Sequence, residues 1–135
     1  MTLLLDDSIL LDEIRDNLAS IPYDLLDDVQ IYKAIKDSYE YIEMIVDIEQ
    51  VEEKFVRRCL IRLSTYKAYL IYTSLAEPKL GTLPESAPLQ LSSLLMSAYS
   101  CLTMISKVPL NEDLSLKESS YPLPIGAGLT SSSVT

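Results

Sequence analysis

The sequence predicts an all-α fold, a small bundle of about four helices around a long central helix, followed by an extended C-terminal arm. Three observations predict it. The only glycines are Gly81, Gly126 and Gly128, and the prolines are Pro22, Pro78, Pro84, Pro88, Pro109, Pro122 and Pro124, which leaves long runs free of both breakers. Within those runs apolar residues recur at helical spacing. After Pro109 that period disappears.

The first helix is expected over roughly 7–19, where Leu10, Ile14 and Leu18 repeat every four residues and Leu11 joins their face. Asp6 or Asp7 caps its start and Pro22 closes it. A second helix is expected over 25–46, with Asp24 as N-cap and Asp27 and Asp28 favoured in the first turn by the helix dipole. Its stripe is Val29, Tyr32, Ile35, Tyr39, Ile42 and Val46, opposite a solvated face of Lys33, Lys36, Asp37, Glu40 and Glu43. The third helix, 48–76, is the longest. Its core face reads Val51, Phe55, Cys59, Leu63, Tyr66 and Leu70. From Cys59 onward it is apolar nearly all round, as a helix surrounded by neighbours must be. Residues 77–88 read as a Pro-rich loop. The fourth helix, 89–106, turns Leu91, Leu94, Leu95, Ala98, Leu102 and Ile105 to the core, and its other face is Ser and Thr without a charge. Exposed faces ordinarily carry Lys and Glu, so this one is expected to be covered by another chain.

A chain of 135 residues supports one core. The division expected is a helical bundle domain over 1–108 and an arm over 109–135. With 48% hydrophobic residues the chain is not of the disordered class. Nine Tyr, one Phe and no Trp suit helix contacts that are only partly dry. Leu3, Leu4 and Leu5 run straight into Asp6 and Asp7 with no basic stretch before them, unlike a signal peptide. The uncharged stretch 86–106 is long enough to span a bilayer but too rich in Ser, Thr and Gln for lipid. A soluble intracellular protein with no membrane partner is expected, with Cys59 and Cys101 as small reduced core residues.

No chemistry is expected. There is no His, the commonest general base and metal ligand. Gly126-Ala-Gly128 has neither the strand nor the helix that a phosphate-binding turn requires. The pairs Asp6/Asp7, Asp27/Asp28 and Glu52/Glu53 lack calcium-loop spacing and read as caps and solvated faces. The expectation is a non-enzyme with no catalytic residue, cofactor or metal.

Charge is unevenly spread within a net of −9. Residues 1–53 hold fifteen acids against Arg15, Lys33 and Lys36, whereas 54–76 hold Lys54, Arg57, Arg58, Arg62 and Lys67 and no acid. Lys54, Arg58 and Arg62 are spaced i, i+4, i+8 and share one helix face. Three uses remain open: pairing with the chain's own acids, meeting the acidic face of a neighbouring subunit, or touching DNA phosphate. In the arm, alternating Pro imposes an extended backbone. Tyr121, Leu123, Ile125 and Leu129 are more apolar than a solvating tail requires. They are expected to dock on a partner protein.

The run from Asp24 to Ile42, Asp-Leu-Leu-Asp-Asp-Val-Gln-Ile-Tyr-Lys-Ala-Ile-Lys-Asp-Ser-Tyr-Glu-Tyr-Ile, leads from an acidic cap into a helix with a small-residue centre and Tyr-x-x-Ile close behind. A second long helix rich in Tyr, Leu and Ala follows. Over residues 24–106 this is similar to the head–tail connector (adaptor) proteins of tailed bacteriophages. The resemblance implies a structural virion protein: a helical subunit in a homo-oligomeric ring, commonly of twelve, in the virion neck beneath the portal. It also implies an extended arm docked on neighbouring portal and tail proteins, DNA only as passing cargo, and host cytoplasm during assembly. The loop region offers no strand hairpin, a departure from that pattern. The alternative is a small helical scaffolding or regulatory subunit of a cellular complex.

Overall fold

In the computed structural model, residues 7–19, 21, 25–80 and 85–117 are described. They form the expected all-α bundle: α1 (Asp7–Asn17), α2 (Asp28–Ile45), a single 3-10 turn (Ile48–Gln50), α3 (Glu53–Leu80) and α4 (Ala87–Ile105). The one β feature among them is an isolated antiparallel bridge between Leu110 and Leu116.

The long third helix is central, as its all-round apolar surface predicts. It packs against α1, α2 and α4. Leu60, Leu63, Ser64, Thr65 and Ala68 are buried in mid-helix, and Val56 and Tyr72 toward either end. The expected face is met at Cys59 and Leu63, which are buried, but not throughout. Phe55 and Tyr66 are half-buried, and Leu70 is exposed. The helix also runs through Pro78 to Leu80 rather than ending at 76. Proline there removes one intrahelical donor near an end, a smaller loss than in mid-helix.

The start of α2 is corrected as well. Asp27, not Asp24, is the N-cap. Its carboxylate accepts from the Gln30 N–H at 3.0 Å, and Gln30 Oε1 accepts from the Asp27 N–H at 2.9 Å, a reciprocal capping box. Leu26 just before the cap and Ile31 in the next turn are both fully buried, the positions of a hydrophobic staple. Burying Leu25 and Leu26 delays the helix and rotates its face. The buried set is Ile31, Ala34, Ile35, Ser38, Tyr39, Ile42 and Ile45. Val29 and Tyr32, expected inside, are exposed.

Arg15 on α1 pairs with Asp28 at 2.9 Å, and Asn17 donates to Thr65 Oγ1 at 3.3 Å, which holds α1 across α2 and α3. Cys59 on α3 and Cys101 on α4 form a disulfide, their Cα atoms 5.5 Å apart. This corrects the expectation of two reduced thiols. Both lie on inward faces of adjacent helices, at a separation that suits the bond.

The segment read as the beginning of the arm folds back onto the bundle. The Lys107 N–H donates to the Ile45 carbonyl at 2.8 Å, and the Asn111 N–H to the Ser115 carbonyl at 2.8 Å. Leu110 and Leu114 are buried in the core. Leu114 adopts φ 72°, a left-handed conformation that costs a non-glycine residue energy. Tyr41 compensates by donating its hydroxyl to the Leu114 carbonyl. Burial, and then the charge of Asp113, raises the Tyr41 pKa above its usual 10.0. Asp113 accepts from the Ser115 hydroxyl and N–H, and those bonds lower its pKa. Residues 109–117 therefore pack with the body, beyond the boundary expected at 108.

Candidate interaction surfaces

Lys54, Arg58 and Arg62, the three cations predicted to share a face, do so. With Arg57 and Ile61 of α3, and Glu13 and Asn17 of α1, they line a groove of about 330 Å³. Arg57 is neutralised by Glu13 at 2.8 Å. Lys54, Arg58 and Arg62 are exposed and form no ion pair among the described residues. Among the described residues, pairing with the chain's own acids is seen on this helix at Arg57 and not at the three cations for which it was one of the open uses. Lys54 Nζ and the Arg58 guanidinium instead sit over the Phe55 ring, at 5.2 and 5.6 Å from its centroid. Stacking of this kind limits the side chains' freedom without cancelling their charge. Three cations without an ion pair among the described residues therefore stand together, with Glu13 in the same groove, on a protein whose net charge is −9.

Arg58 also borders a second hollow. Phe55, Arg58, Cys59, Cys101, Met104 and Ile105 enclose about 170 Å³ between α3 and α4. Its walls are apolar apart from Arg58, and the disulfide forms one of them. Sequence reasoning did not find this socket. Its only signal was Phe55 standing one residue after Lys54 and three before Arg58, and the disulfide that closes it was not legible at all.

A third surface is the outer face of α4. No residue from Ala87 to Ile105 is charged. The face holds the expected Ser92, Ser93, Ser100 and Thr103, all exposed. It also holds Leu89, Met96 and Met104, at 75, 42 and 85% exposure. It is therefore more apolar than the hydroxyl residues alone suggested. These side chains recur at seven- and eight-residue intervals, two helical turns, and so form one stripe.

The arm residues Tyr121, Leu123, Ile125 and Leu129 lie outside the described residues. Among the described residues no helix is long and apolar enough to cross a membrane, and no three acidic or thiol side chains gather as a metal site would require. The chain matches no family model, no curated protein and no solved structure.

Proposed function

We propose that the protein is a structural assembly subunit: a head–tail connector (adaptor) of the tailed-bacteriophage type, forming a homo-oligomeric ring between portal and tail. The observation that carries this reading is the outer face of α4. A 19-residue helix without a charge, with Leu89 and Met104 almost wholly in solvent, is a poor surface for a lone soluble chain. Covering it with another protein removes that apolar area from water. The α3 cations without an ion pair among the described residues add a second surface, of the kind that fixes orientation between subunits. The acidic balance of the rest of the chain suits a passage through which DNA moves without adhering, since like charges repel. The arm, with Tyr121, Leu123, Ile125 and Leu129, docks on the neighbouring virion proteins. The subunit then resides in the virion neck and, before assembly, in the host cytoplasm.

The test removes the arm where the body ends. Truncation after Lys117 leaves Leu110 and Leu114 in place, so helical signal and melting are retained while assembly with portal and tail partners is lost. A truncated chain that assembles as the full chain does removes the arm from the account.

A further inference from the structure

We infer that the α3 groove and its adjoining socket receive the acidic outer face of α2 from a second copy of this chain, giving a head-to-tail contact. The inference rests on the assembly reading above and names the surfaces that meet. The receiving side has three cations, Lys54, Arg58 and Arg62, that form no ion pair among the described residues and are spread over about 12 Å of helix. At Arg58 it opens into the 170 Å³ apolar socket. A matching occupant needs acids at helical spacing around one exposed apolar side chain.

The chain carries such a face. On α2, Asp37 and Glu40 are exposed seven and four residues before Met44, which is 55% exposed, with Glu43 exposed beside it; Lys33 and Val29 are exposed farther along the same side. Asp37 to Met44 spans about 10 Å, close to the span of the cations. Met is unbranched and adapts to an irregular hollow, and thioethers pack well against rings such as Phe55. Arg58 at the mouth of the socket is then placed to take a carboxylate in a two-pronged contact. Lys33 stands one turn from Asp37 and Lys36 one turn from Glu40, and Lys107 lines a hollow with Glu43 and Asp47, so the face is mixed, with four acids against three cations. The groove and the α2 face share no residue. A contact between two different patches of one chain is heterologous, and it propagates into a ring or a filament rather than stopping at a dimer.

Reversing either face separately tests this. Arg58→Glu/Arg62→Glu and Glu40→Lys/Glu43→Lys should each weaken self-association on the order of tenfold or more, because like charges then oppose. All four substitutions in one chain should restore it. All four substituted positions are exposed, so circular dichroism of each variant should match the parent. If a reversal unfolds the chain, Arg58→Ala/Arg62→Ala takes its place with the same expected loss. Self-association unchanged in either two-site variant overturns the inference and leaves the assembly reading standing. Loss in both without recovery in the four-site chain overturns it as well. So does a groove variant that assembles normally but no longer binds a short DNA duplex, which would assign the cations to phosphate. A full-length chain that never self-associates fails the assembly reading itself.

Discussion

Breaking the bond between Cys59 and Cys101 should destabilise the bundle strongly, because it frees the buried contact between α3 and α4. The cysteines are 42 residues apart, and the bridge closes a loop that holds most of α3 and most of α4. Loop-closure entropy for that length corresponds to about 4 kcal/mol at 25 °C, lost when the unfolded chain is freed. For a protein of this size, with unfolding entropy of roughly 2.1 cal/mol/K per residue, the midpoint should fall by about 15 °C. Cys59→Ala/Cys101→Ala and reduction of the parent should have equal effects to within about 1 kcal/mol, the transfer and cavity terms for one small buried side chain. The assay is thermal unfolding followed at 222 nm with and without reductant, beside a thiol count on the unreduced, denatured chain. A count of two free thiols, or a midpoint indifferent to reductant, would refute the reasoning. In either case the bridge would not be holding α3 to α4.

Other consequences follow from particular contacts. Asp27→Ala removes the carboxylate half of the capping box, the acceptor of the Gln30 N–H, and should cost about 1 kcal/mol, read as a lower denaturant midpoint with the slope unchanged. Asp24→Ala, by contrast, should not remove that cap. Tyr41→Phe removes the hydroxyl's bond to Leu114 and should cost about 1 kcal/mol at neutral pH. Because burial and Asp113 raise the Tyr41 pKa, its contribution is whole below pH 10.0 and is lost as pH rises beyond. The parent and the Phe variant should therefore converge in stability in alkaline denaturation series, and a constant gap would contradict that linkage. Truncation before Leu110, unlike truncation after Lys117, empties two buried leucine sites and should lower stability by about 4 kcal/mol or more.

Much of the fold was legible because its signals are local. Breaker-free runs located the helices, and the all-round apolar surface of 59–72 marked the central one. One source of the differences is that small side chains take core positions. On α2, Ile35, Tyr39, Ile42 and Val46 are buried as expected, but Val29 and Tyr32 are exposed, and Ala34 and Ser38 are buried with Ile31 and Ile45. Small residues bring backbones close, but they add little to an apolar pattern. The disulfide and the return of Leu110 and Leu114 depend on which helix ends meet in space, and no spacing along the chain encodes that. The same division holds for the site. Lys54, Arg58 and Arg62 were legible from i, i+4, i+8 spacing, and the prediction that they form one face is met. The socket beside them was not, because Met104 and Ile105 arrive from α4. Nor was the apolar character of the α4 face, since Leu89, Met96 and Met104 were hidden among its hydroxyl residues.

A subunit that joins copies of itself must change mass with concentration. Sedimentation equilibrium of the purified full-length protein across a range of concentrations measures this directly. The account predicts a mass rising with concentration to a discrete multiple of the 15.1 kDa chain, with a salt-sensitive midpoint set by the charged contact. A single species of 15.1 kDa at every concentration and ionic strength would contradict it.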